Sequence, residues 1–189
     1  MRRIFKFGWL PENDYAQEQP YEYPDIFAVE KTSGPERLVI APSGQQVALI
    51  SDFLEIMQEP LGVLYVLTVP RGGATEGRYQ SANALAKDDV RAFLKKFGKF
   101  FENDGRHHLW IVSMPSSDML VFDNHNLIYA YGSLSVFEVL AEHRGLKKVD
   151  RVRVPAPHCH KYNEVFDQDE QHLLSYWDWK RFPLTDADD

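Results

Sequence analysis

Cysteine is nearly missing from this chain. Cys159 is the single one among 189 residues, so no internal disulfide forms and no zinc site is built on several cysteines. Long apolar runs are missing too. The longest, Leu61 to Val69 broken by Thr68, falls well short of the about 20 residues that span a bilayer. The first ten residues carry charges but no apolar stretch of signal-peptide length. No membrane partner is expected, and a cytoplasmic location is, where a lone thiol stays reduced. The catalytic signatures that a sequence can announce are also lacking: there is no His-Glu-x-x-His, no Gly-x-Ser-x-Gly and no paired-cysteine motif. No internal repeat and no long linker divides the chain.

What remains is an ordinary globular balance. Hydrophobic residues make up 44%, charged residues 26% and aromatics 13%, enough to bury a core without a covalent staple. One domain over residues 1–189 is expected. The net charge is −7, and all of it lies at the two ends. Residues 1–31 hold six acids against four bases, and residues 161–189 hold eight against three. An acidic exterior repels nucleic acid and attracts basic proteins, so no nucleic-acid partner is expected despite the local Lys95, Lys96, Lys99 patch.

Along the chain, Ile4–Phe7 reads as a strand, and Pro11 to Pro24, broken by three prolines, reads as a surface loop. Asp25–Lys31 and Glu36–Ala41 read as two strands around a turn. Ser43 opens a capping box before a helix with Val47, Ile50, Leu54 and Met57 on one face. Leu61–Val69 is nearly continuous in apolar residues and predicts a strand covered on both faces. Arg71–Gln80 reads as a glycine-rich loop. Val90, Phe93, Leu94, Phe97, Phe100 and Phe101 make the clearest helical stripe, stopped by Gly105. His108–Met114 is a strand, and Met119–Phe122 with Leu127–Tyr131 is a hairpin about Asp123-Asn124-His125-Asn126. A capping box at Ser135, with Leu134 stapled to Val139, starts a helix ended by Gly145. Val149–Val154 reads as a strand, and a last helix runs from Asp167 to Trp179. The sum is an α+β domain: a mixed, largely antiparallel sheet packed against about four helices.

Pro157-His158-Cys159-His160-Lys161-Tyr162 is the sharpest chemical candidate. If the segment is extended, His158 and His160 point the same way and can bind a divalent metal such as zinc. A catalytic zinc needs a third protein ligand. Glu164, His107, His108, His125 and His172 are available, and no spacing selects among them. Cys159 then faces the other way, so neither histidine activates it. Arg71-Gly72-Gly73-Ala74-Thr75-Glu76-Gly77-Arg78 follows a strand but lacks the Walker ending; Arg71 and Arg78 are its candidate anion binders, against a plain connection. Ser113, Ser116 and Ser117 have no specified base. Asp88/Asp89 read as a helix start, and Asp188/Asp189 as a solvated tail.

A different class of site is expected from Glu12, Asp14, Tyr15, Glu18, Tyr21, Glu22 and Tyr23, a stretch that has no Lys or Arg between Lys6 and Lys31. Carboxylates steer toward a basic partner, and tyrosines anchor contacts at small entropic cost. Tyr176, Trp177 and Trp179 cannot all share one narrow helical stripe, so Trp177 and Trp179 join the candidate partner surface, against packing under the terminal tail.

The run Asp123-Asn124-His125-Asn126-Leu127-Ile128-Tyr129-Ala130-Tyr131-Gly132, followed by the helix Ser133–Arg144, resembles a strand–helix segment of bacterial polymorphic-toxin immunity proteins, over residues 119–145. The resemblance implies a cytoplasmic, non-enzymatic inhibitor that occludes a cognate toxin, with no functional residue to carry across. The first expectation is thus a protein-binding module that needs no cofactor. The alternative is a small metal-dependent, hydrolase-like enzyme using His158 and His160. A third is a subunit of a homo-oligomer.

Overall fold

Alternating apolar residues organise the molecule around one large sheet. The structure, a computed structural model, describes residues 4–11, 14–186 and 188. Strands Ile26–Glu30 (β3), Arg37–Ala41 (β4), Leu61–Leu67 (β5), Gly77–Ser81 (β6), His107–Ser113 (β7), Met119–Phe122 (β8), Ile128–Tyr131 (β9), Lys147–Lys148 (β10) and Trp179–Phe182 (β12) form a nine-stranded sheet. Its order is β10-β3-β4-β9-β8-β7-β5-β6-β12. Only the β10–β3 pair is parallel. A small antiparallel sheet of Phe7–Trp9 (β1), Gln19–Pro20 (β2) and His158–His160 (β11) has the order β11-β1-β2. Four helices, Gln46–Ile56 (α1), Lys87–Asn103 (α2), Leu134–His143 (α3) and Asp167–Leu174 (α4), complete the α+β fold.

Because successive strand residues face opposite sides, each strand feeds two layers. Leu38 and Ile40, Tyr65 and Leu67, Leu109 and Ile111, Leu120 and Phe122, and Ile128 and Ala130 enter the main core with the helices. There Val90, Phe93, Leu94, Phe97, Phe100 and Phe101 of α2 are all buried, each contributing roughly 1.5–3 kcal/mol. Val39 and Ala41 face the other way, where they pack with Phe7, Tyr23 and Leu127. The small sheet therefore covers one part of the second face and leaves the rest open.

Several expected elements differ, each for a local reason. The first strand is Phe7–Trp9 rather than Ile4–Phe7, its position set by pairing to β11. Pro11–Pro24 is not wholly a surface loop, since Gln19–Pro20 pair with β1 and Tyr23 is 3% exposed. Ser43 does not cap α1: its backbone N–H and hydroxyl go to Asp25, and the amide of Val47 donates to Glu102 of α2 instead. Ser133, not Ser135, precedes α3, without a side-chain cap, and Val139 is exposed rather than stapled. Gly77–Ser81 of the supposed loop is strand β6, paired with both β5 and β12. Only Lys147–Lys148 forms a strand where Val149–Val154 was expected. The last helix stops at Leu174, and Trp179 begins an edge strand.

A buried ion network ties the end of α2 to α4. Arg106 is fully buried; its Nε donates to Asp104 Oδ1 at 2.7 Å and its Nη1 to Glu170 Oε2 at 2.8 Å. Its Nη2 also reaches the carbonyl of Asn163 at 3.0 Å. Glu170→Ala leaves the guanidinium partly unpaired inside the protein, and chemical unfolding should show a loss of about 3–5 kcal/mol. Glu138→Ala, which removes the surface pair to Lys148, should cost less than about 1 kcal/mol. Equal losses would contradict this division.

His107 supplies a pH dependence. Its ring sits against Tyr65, Phe100 and Phe101, and burial holds its pKa well below the ordinary 6.5. The unfolded chain takes up that proton below about pH 6.5 and the folded chain does not, so stability falls as pH drops from 6.5 toward the depressed value. His107→Phe should flatten that limb of the stability–pH curve; an unchanged limb would show that the ring is not held neutral.

Candidate functional site

The β8–β9 hairpin tip is built by one carboxylate. Asp123 Oδ1 accepts the backbone N–H groups of His125 at 2.9 Å and Leu127 at 2.8 Å, while Asn126 turns the chain with φ at 63°. Its other oxygen, Oδ2, meets His125 Nδ1 at 3.0 Å and Tyr129 Oη at 3.4 Å. Asp123 is 6% exposed. Burial raises its pKa, but the hydrogen bond and charge of His125, the charge of Lys6 and the Leu127 amide outweigh that, so the net shift is downward.

Beside this tip lies β11. Phe7 pairs with His160 and Trp9 with His158, which puts both imidazoles on the Phe7 side and Cys159 opposite Gly8. Gly8 is required there, because a Cβ would stand 2.8 Å from the Phe5 ring and 3.2 Å from Cys159 Sγ. The ring of Phe7 lies 5.2, 5.3 and 5.6 Å from the rings of His125, His158 and His160. The three imidazole centroids are 4.7–5.4 Å apart, and one ligand nitrogen from each ring lies within 4.8 Å of the others. The structure thus brings the sequence-predicted His158 and His160 together and adds His125.

Each ring is oriented by the same device. Nδ1 of His125 meets the Asp123 carboxylate, Nδ1 of His158 meets the Pro155 carbonyl at 2.9 Å, and Nδ1 of His160 meets the Asn124 carbonyl at 3.1 Å. Those oxygens only accept, so each Nδ1 is the protonated nitrogen of its hydrogen bond and Nε2 is the nitrogen left for a ligand. Burial, reinforced by the neighbouring His125 and His158, lowers the pKa of His160 to about 4. Near neutral pH that ring is uncharged and competent to ligate.

His125 and His160 also line a cleft of about 750 Å³ on the open part of the second sheet face. Val121, Tyr129, Tyr131, Trp110 and His108 supply its wall from the large sheet. Burial lowers the His108 pKa as well. Arg37 sits 4.2 Å over the Tyr129 ring, held by Glu30 at 2.7 Å and by the Tyr131 hydroxyl at 3.0 Å.

The other expected residues fall elsewhere. Glu164 lies in a short 3-10 turn and pairs with Arg71; His172 is exposed on α4. In the glycine-rich segment Arg71 meets Asp167 at 3.1 Å and Arg78 meets Asp188 at 3.7 Å, and the Arg71 and Gly72 amides point at Glu170. Ser113 and Ser116 donate to the Gln58 carbonyl and to Asp118, with no histidine beside them. Cys159 lies by Glu18, its thiol pushed up chiefly by burial. Asp188 is not a solvated tail residue: it is buried and accepts the N–H and hydroxyl of Thr185.

Of the expected partner surface, Glu12 lies outside the described residues, and Tyr15 takes part in a 3-10 turn. Asp14 accepts the Ala16 amide, Glu18 pairs with Lys161, and Glu22 is exposed. Tyr21 and Tyr23 turn inward onto Phe7. Trp177 stacks on Phe93 at 4.4 Å, and Trp179 Nε1 donates to the Leu173 carbonyl, so both pack against the main core. Comparison with known protein families, curated proteins and solved structures finds no match for this chain. Among the described residues no helix is long and apolar enough to cross a membrane.

Removing the carboxylate while keeping its shape isolates its orienting role. Asp123→Asn should lower divalent-metal affinity about 10–100-fold in a calorimetric titration, with the far-ultraviolet spectrum unchanged. Unchanged affinity would show that the tip does not orient His125.

Proposed function

We propose that His125, His158 and His160 hold a divalent metal ion, zinc by the chemistry of three neutral imidazoles, and that the protein uses it on a small molecule lodged in the adjoining cleft. The observation that carries this is a double one: each Nδ1 meets an oxygen acceptor, and one ligand nitrogen from each of the three rings lies within 4.8 Å of the others. Metal-ligating histidines characteristically donate their second nitrogen in this way. An ion at about 2.0–2.1 Å from each nitrogen needs only a modest inward shift of rings whose ligand atoms already lie within 4.8 Å.

A zinc ion with three protein ligands keeps an open position, where it activates water or polarises a carbonyl or phosphoryl oxygen. The chain's own groups then have definite tasks. Asp123 fixes the tautomer of His125, Phe7 gives the three rings a common apolar floor, and Tyr129, Tyr131 and Trp110 offer aromatic surface to a bound molecule. Metal-assisted hydrolysis or hydration is the reaction class that fits. Recognition of a basic protein such as a toxin is the second reading. It keeps the exposed carboxylate of Glu22 but has little of the tyrosine and tryptophan surface on which it depended.

Chelator-treated protein titrated with zinc should take up one equivalent, and His125→Ala, His158→Ala and His160→Ala should each abolish tight uptake. Cys159→Ala, on the opposite side of the same strand, should bind as the parent does. Failure of the parent to bind zinc or another first-row divalent ion, or binding untouched by all three substitutions, would overturn the proposal.

A further inference from the structure

We infer that the molecule taken into the cleft carries an anionic group, a carboxylate or a phosphate, and that Arg151 and Arg153 bind it. This rests on the metal-site proposal above and extends it to the class of ligand.

The evidence begins with the chain between α3 and β11. Arg144, Lys147, Lys148, Arg151 and Arg153 concentrate positive charge in a molecule of net charge −7. Arg144 pairs with Asp52, and Lys148 with Glu138. Arg151 and Arg153 have no partner among the described residues. Their neighbours alternate with them: Val152 and Val154 turn inward against Val39 and Leu127, while both arginines are exposed. Val152 and Val154 thus anchor the segment on the small core cluster, and the two arginines between and beside them border a groove.

This groove, of about 420 Å³, shares Arg37, Tyr129 and Val154 with the cleft beside the histidines. The two depressions adjoin, and the cleft side also carries the carboxylates of Asp123 and Asp188. The groove is lined by three arginines and a single carboxylate, Glu30, and Glu30 is already committed to Arg37 at 2.7 Å. Two positive charges are left over. An acidic protein repels anions at long range, so a positive surplus confined to this groove favours anions there.

Tyr129 sets the spacing between the two depressions. Its hydroxyl meets Asp123, which orients His125, and its ring lies under Arg37. One tyrosine side chain therefore spans from the metal-ligand shell to the edge of the arginine groove. A small molecule can place a polar group at the ion and its anionic group at Arg151 and Arg153, whose planar forks match carboxylate and phosphate oxygens.

The test uses three probes that share a phenyl ring on the zinc-loaded protein: benzoate, phenylphosphonate and neutral benzamide. Calorimetry should show at least one anion binding about tenfold tighter than benzamide, with the preference lost in the exposed double variant Arg151→Gln/Arg153→Gln. Benzoate ahead of phenylphosphonate assigns a carboxylate ligand, and the reverse order a phosphate ligand. The double variant should still take up one equivalent of zinc. Anion affinity unchanged in the variant, or no tighter than that of benzamide, overturns the inference even if zinc binds. The same series on metal-free protein separates the two claims, because failure to bind zinc condemns the histidine site while the arginine contribution is read from its own ratio.

Discussion

The hydrogen bond from His125 Nδ1 to Asp123 is the interaction on which the site depends. The same carboxylate closes the hairpin tip through two backbone amides and meets Tyr129, so the position of His125 and the wall of the cleft share one anchor. Buried as it is, Asp123 needs these donors and the nearby charge of Lys6 to remain ionised. Lys6 is itself buried. Its ammonium donates to the Phe101 carbonyl at the end of α2 and lies 3.8 Å from the centre of the Phe122 ring, and burial draws its pKa down to about 7. Lys6 thus ties the chain leading into the small sheet to the end of the longest helix, with Asp123 close enough for each charge to be felt by the other.

The two faces of the large sheet do different work. Helices seal one face with an aromatic core. The other is only partly covered by β1, β2 and β11, and the uncovered remainder is the cleft. This division puts the histidines where a rigid scaffold meets an opening, the usual setting for sites that bind small molecules. It also explains why Tyr21 and Tyr23 turn inward: the small sheet needs apolar mass beneath it, and Phe7, Tyr21 and Tyr23 supply it.

Much of the scaffold was legible in the sequence because it rests on local periodicity. The α2 stripe, the β3–β4 and β8–β9 hairpins and the α+β class follow from spacings of 3.6 and 2. Capping was not legible at Ser43, whose hydroxyl is taken by Asp25 from eighteen residues away. Strand β6 was hidden because its glycine-rich start looks like a loop until β5 and β12 flank it. At the site, the same-face placement of His158 and His160 was readable from an extended His-Cys-His. The third imidazole was not, since His125 and His160 meet only through long-range packing. An Asp two residues before a His in a tight turn was the available signal: it is the arrangement that hydrogen-bonds the ring and fixes its tautomer.

Long-range proton–nitrogen correlation spectra of histidine-labelled protein read whether three imidazoles offer Nε2 to one ion, as proposed. His125, His158 and His160 should all be Nδ1–H tautomers in metal-free protein, and one equivalent of zinc should shift the Nε2 resonances of these three alone. Nε2–H tautomers at these positions, or resonances indifferent to zinc, would contradict it.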